Sequence, residues 1–133
     1  MIHHEITAGL STVFKETVPP SSYSYGSKEL DSLLSTPTIA SLIINASAKM
    51  LDPLLPPNYI TVGSKIELSH ESPILVGEQI SLNIRVTKVE GSVIYIDFTI
   101  NDDFGLICKG KYERHIVLVE KLMKIAYSRI GKI

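Results

Sequence analysis

One stretch limits the folds open to this chain more than any other: TPTIASLIINASAKML, residues 36–51. Thr36-Pro37 is a helix-start pair, with Thr as N-cap and Pro at the first helical position, where no backbone donor is needed. Pro53, Pro56 and Pro57 end the segment. In between, Ile39, Leu42, Ile43, Ala46 and Met50 share one face, and Ala40, Ile44, Ala48 and Leu51 cover much of another. A helix apolar nearly all round is buried on most sides. Its small residues (Ala40, Ser41, Ala46, Ser47 and Ala48) let a sheet or a partner come close. The rest of the chain must therefore wrap this helix.

Strand-period segments are available to do so. Residues 10–18 alternate, with Thr12, Phe14, Glu16 and Val18 on one side, and Pro19-Pro20 ends them. The segment SSYSYGS (21–27) reads as a loop with two exposed tyrosines, and KELDSLL (28–34) as one or two helical turns. Residues 59–70 place Ile60, Val62, Ser64, Ile66, Leu68 and His70 together, opposite Thr61, Gly63, Lys65, Glu67 and Ser69. Residues 79–89 align Ile80, Leu82, Ile84 and Val86, and residues 92–100 align Ile94, Ile96, Phe98 and Ile100. Glu90-Gly91 and Asn101–Gly105 are hairpin turns. Residues 106–118 put Leu106, Cys108, Tyr112, Ile116 and Leu118 on one face, with Gly110 and Arg114 in phase. Residues 119–130 read as a short amphipathic closing helix, and Lys121, Lys124, Arg129 and Lys132 as its solvated charges.

Consecutive strands on short turns pair antiparallel. The expected class is α+β: one domain over residues 1–133, its sheet wrapped around the central helix, with no repeat or linker. The other sheet face points to water or a partner. Long edge strands need protection, which a dimer joining two sheets edge to edge would give.

A net charge of −1 with no basic cluster argues against nucleic acid as a partner. No apolar run approaches the ~20 residues of a membrane span, and the first residues lack signal-peptide order, so a cytoplasmic location is the default expectation. The single Cys108, within Leu106-Ile107-Cys108, forms neither an internal disulfide nor a CxxC zinc site and reads as a small core residue. His3-His4 lies too near a terminus to count as a metal site, and Asp102-Asp103 belongs to a turn. No phosphate-binding glycine loop and no GxSxG elbow occur. Neither a metal nor a cofactor is expected.

Three polar residues sit where apolar ones are the rule. His70 continues the face of Ile66 and Leu68, either as a core-edge histidine bonded to backbone or as a base near a pocket. Thr36 is either a cap or a hydroxyl at a helix start, where N–H groups favour developing negative charge. Asn45, inside the apolar helix, needs partners if buried, across an interface or within a site.

The segments LLSTPTIASLIINAS, TVGSKIELSHESPILVGE and VEGSVIYIDFTINDDFGLICKGKYERHIV together resemble the fluoroacetyl-CoA thioesterase-like branch of the hotdog-fold thioesterases. The resemblance runs over roughly residues 10–127 and rests on the order of its motifs: TP opening the helix, TVG-x-x-x-x-x-x-H, P-x-x-VGE, then ER. It implies a hotdog fold and a homodimer, or dimer of dimers, with acyl-CoA at the subunit interface and hydrolysis to free acid and CoA. It implies Thr36 and His70 as catalytic positions. Gly63 matches a glycine whose backbone lies near the thioester carbonyl, and Arg114 an arginine near the substrate. Asn45 follows the position of a catalytic Glu, which here is Ile44. Ile accepts no proton and orients no water. Asn45 is rotated by about 100° on the helix, and no acid occurs between Asp31 and Asp52. Three readings follow from the sequence: a thioesterase with weakened or altered catalysis, a non-catalytic acyl-CoA binding or sensing module, and a scaffold whose pocket takes another ligand.

Overall fold

The structure, a computed structural model, describes residues 2–20 and 28–131. The tyrosine-bearing loop expected at 21–27 lies outside these residues. Five strands, β1 (Ser11–Thr17), β2 (Tyr59–His70), β3 (Gln79–Glu90), β4 (Val93–Asp102) and β5 (Gly105–Leu118), form one antiparallel sheet in the order β1-β3-β4-β5-β2. Helix α1 (Thr36–Leu51) joins β1 to β2, and helix α2 (Val119–Arg129) follows β5. Short 3₁₀ turns occupy Lys28–Leu30 and Asp52–Leu54.

This order explains where the helix goes. β3, β4 and β5 are joined by tight hairpins and occupy the middle. β1 and β2 are adjacent in sequence yet lie at opposite edges, so the chain between them must cross the whole sheet. The apolar α1 is that crossing. Ile39, Ile43 and Leu51 are fully buried, as are Ile80, Leu82, Ile84 and Val86 of β3 and Ile94 and Ile100 of β4. Each such side chain contributes ~1.5–3 kcal/mol of burial. Cys108 is buried at the same level, as the sequence suggests.

The structure corrects the sequence reading in five places. Ser35, not Thr36, is the N-cap of α1: its Oγ accepts from the Thr38 N–H at 3.3 Å. Helix α1 is not buried all round, because Thr36, Pro37, Ser41, Ile44, Asn45 and Lys49 line an exposed face. The strict alternation read in β2 breaks at Ser64. There a bulge shifts the register between Gly63 and Lys65, so Thr61 and Gly63, not Ile60 and Val62, share the inner face with Ile66, Leu68 and His70. One extra residue reverses a period of two. A second shift, between Ile100 and Asn101, turns Ile107 inward and leaves Leu106 exposed. Finally, α2 carries no buried residue, with Met123, Ile125 and Tyr127 exposed. Among the described residues no helix is long and apolar enough to cross a membrane.

Candidate functional site

The start of α1 and the end of β2 meet at one corner of the sheet. Because Ser35 caps the helix, the Thr36 hydroxyl is left for another partner. That partner is His70, with Thr36 Oγ1 and His70 Nδ1 3.0 Å apart. Sequence position alone could not bring these residues together, since they lie 34 positions apart. With the hydroxyl donating, Nδ1 is the acceptor and the ring proton sits on Nε2. His70 Nε2 is itself buried, with no hydrogen-bond partner among the described residues. An orphaned buried donor or acceptor costs ~1–3 kcal/mol, and Ser47 Oγ in α1 is another such group among the described residues.

The pair opens into a pocket of about 420 Å³. Leu30, Leu33, Leu34, Pro37 and Pro73 give it apolar walls; Ser35, Glu71 and Ser72 complete the lining. The segment before α1 is fixed to the loop after β2. The Leu34 N–H donates to Ile74 O at 2.9 Å, the Val76 N–H donates to Ser32 O at 2.8 Å, and Leu33 bridges to Leu75. The walls are therefore held from both sides. A wider hollow of about 550 Å³ on the outer sheet face is lined by Glu67, Asp97, Lys109 and Lys111 and lacks a comparable hydroxyl–imidazole pair.

The remaining sequence candidates lie elsewhere in the protomer. Gly63 pairs with Arg114 and His70 with Cys108. Six strand residues lie between Gly63 and His70, and with the bulge at Ser64 the two stand about 20 Å apart at the usual rise. Arg114 is 3% exposed. Its Nε donates to Thr61 Oγ1 at 2.7 Å, one terminal nitrogen donates to Tyr112 Oη at 2.6 Å and the other to Thr61 O at 2.6 Å. Thr61 in turn donates its N–H at 2.9 Å and its hydroxyl at 2.6 Å to Asp52 Oδ1, just past the end of α1. This chain of bonds ties the end of α1 to β2 and β5 beneath Gly63. A side chain at Gly63 would collide with the Tyr112 hydroxyl, so the network also demands glycine there. Asn45, expected to be buried, stands on the exposed face of α1, as does Ile44 at 39% exposure. Sequence reasoning missed Ser35 as the cap, Glu71 as a pocket residue and the Asp52–Thr61–Arg114–Tyr112 network. The paired hydroxyls of Ser35-Thr36 before Pro37 and the acid directly after His70 were the available signals.

A helix crossing an antiparallel sheet of order β1-β3-β4-β5-β2 defines the hotdog fold. A hot-dog-like protein from Thermanaerovibrio acidaminovorans superposes with a TM-score of 0.87 at 25% identity, covering 93% of both chains. A fluoroacetyl-CoA thioesterase superposes at 0.84 with 20% identity, over 93% of this chain and 97% of that one. A thioesterase superfamily member from Thermus thermophilus gives 0.81 at 23% identity, over 96% and 95%. None of the curated proteins matches the sequence. The model of the fluoroacetyl-CoA-specific thioesterase family matches residues 18–120, and the chain belongs to that family.

Proposed function

We propose that this protein hydrolyses an acyl-CoA thioester to the free acid and CoA, at a reduced rate because Ile44 stands where the family keeps an acid. The observation that carries the reading is the 3.0 Å pair of Thr36 Oγ1 and His70 Nδ1 at the wall of a pocket lined by both apolar and polar side chains. Family membership supports the reaction class. So do related structures, of a fluoroacetyl-CoA-specific thioesterase mutant in complex with fluoroacetate and CoA and of a fluoroacetyl-CoA thioesterase mutant in complex with acetyl-CoA.

In this reading His70 Nδ1 takes a proton from the Thr36 hydroxyl, or from a water beside it, as the oxygen attacks the acyl carbon. The C–S bond then breaks and the CoA thiolate leaves with that proton. If Thr36 attacked, water repeats the cycle on the acyl-threonine. The oxyanion needs an N–H donor. Gly63 is the family's position for it, yet lies about 20 Å from His70 within one chain. A second copy resolves the separation. β2 is an edge strand, and pairing it antiparallel with a partner's β2 sets the Gly63 end of one against the His70 end of the other. The site is then shared by two protomers. Arg114 acts in it by holding the strand that carries Gly63.

Thiol release from a panel of acyl-CoAs tests the reading. His70→Ala lowers turnover by a factor of ~10² or more; turnover unchanged by that substitution would sink it. A second reading, a non-catalytic acyl-CoA binding or sensing module, is favoured by Ile44 alone. It predicts binding of CoA esters with no hydrolysis above background.

A further inference from the structure

We infer that α2 of one copy of this chain docks its apolar face on the ledge beside the Thr36–His70 pocket of a second copy, and so walls that copy's site. The inference rests on the proposed site shared by two protomers and names the element that closes it.

Helix α2 is short, at 11 residues, and no side chain caps its start. A lone helix of this length is marginal in water. Its own protomer supports it little, since none of its residues is buried. Yet Val119, Met123, Tyr127 and the C-cap Ile130 share one face, at spacings of four, four and three. All four are between 38% and 66% exposed, while Lys121 and Lys124 turn away from them. An apolar face of this kind marks a surface that another molecule covers.

A matching surface lies at the other end of β2. Leu30 and Leu75 are 40% and 51% exposed. They stand on one ledge, because the Leu34 N–H donates to Ile74 O, the Val76 N–H donates to Ser32 O, and Leu33 bridges to Leu75. Leu30 and Leu33 line the pocket that Thr36 and His70 open into, so the ledge is its rim.

Within one chain the two surfaces are out of reach of each other. α2 begins where β5 ends, at the pair Leu118–Tyr59, and its Val119 N–H donates to Asn58 O at 3.1 Å, just ahead of β2. The ledge follows His70 at the far end of β2, roughly 33 Å away along the strand. Pairing β2 antiparallel with a second β2, with Gly63 of one against His70 of the other, brings Tyr59 level with the loop that follows the other copy's strand. Two strand spacings, about 10 Å, then separate β5 from that strand, and a helix of 11 residues spans about 16 Å. The two-fold axis makes the same contact twice.

Cysteine cross-linking of the full chain tests this. Leu75→Cys, Met123→Cys and the double variant are oxidised with copper phenanthroline and run on a non-reducing gel, with sedimentation equilibrium alongside. Both positions are exposed in the protomer, so the variants keep the fold, and the native Cys108 is buried away from the oxidant. The double variant should form at least fivefold more covalent dimer than either single variant. Met123→Glu should raise the dissociation constant of the dimer at least tenfold with an unchanged circular dichroism spectrum. A dimeric double variant that gives no covalent dimer, or a dissociation constant unchanged by Met123→Glu, overturns the inference and leaves the shared site standing. So does a single variant that cross-links as fully as the double, because α2 or the ledge then meets its own counterpart. A wild type that sediments as one protomer at the concentration used for turnover overturns both the contact and the shared site.

Discussion

In the proposed reaction Ile44 is the residue that limits the rate. It sits on the exposed face of α1, outside the core that Ile39 and Ile43 build, so the fold does not require an apolar group there. Restoring the acid with Ile44→Glu should raise thioester turnover at least tenfold, measured as thiol release, because it returns a proton acceptor to the exposed face of α1 at the position where the family keeps one. An unchanged rate would mean that the acid position is not what limits this protein. Cys108 makes a different prediction. Burial first, and the charge of Glu71 second, push its thiol up from 9.0 to about 11. A folded-state pKa above the unfolded one stabilises below the unfolded value, and that stability is lost as pH rises through the folded value. Urea unfolding of the wild type should therefore lose stability relative to Cys108→Ala between about pH 9 and 11, with their difference constant from pH 7 to 8.5. A constant difference across the whole range would show that the thiol ionises alike in both states.

Among the elements, the two hydroxyls before Pro37 divide the work. Ser35 caps α1 and Thr36 faces His70. Ser35→Ala should lower stability by ~1 kcal/mol in denaturant unfolding. Thr36→Val should abolish most thiol release with a smaller stability loss. If Thr36→Val is the more destabilising and Ser35→Ala the more inactivating, the roles are reversed. This division was not legible in the sequence, where either residue suits a cap. Periodicity made β3 and β4 readable because residues 80–86 and 94–100 each present a uniformly buried face, and β1 because half-buried and exposed residues alternate along it. It failed in β2 at Ser64, because a bulge adds a residue that no alternation rule foresees, and the phase of Thr61 and Gly63 went with it. Thr36 and His70 were visible as candidates one by one. Their convergence required the fold, since only the crossing from β1 to the far edge brings the first residue of α1 to the last of β2. The Asp52–Thr61–Arg114 chain joins three distant segments, so no local pattern announces it.

At the scale of the whole molecule, the proposed reaction makes one protomer the holder of two half-sites. The Thr36–His70 pair occupies one end of β2, and Gly63, above the buried Arg114, lies toward the other. β2 is an edge strand, and the exposed face of α1 carries Pro37, Ser41 and Ile44, short enough for a second helix to approach. Edge pairing of β2 with a partner strand would bring both features of two copies together at once, protecting the strand and uniting each imidazole with the other copy's glycine. Sedimentation equilibrium should therefore give a dimer or an even multiple of it. Ser41→Arg places a long cation where two helices would meet. It should shift the mass toward one protomer and lower thioester turnover in parallel, while the circular dichroism spectrum stays unchanged. Ser41 is exposed in the protomer, so loss of fold is not the expected route to either effect. A Ser41→Arg protein that remains dimeric would move the interface off this helix face. One that becomes monomeric yet keeps full turnover would show that a single chain suffices, and that the oxyanion donor must be sought nearer His70 than Gly63.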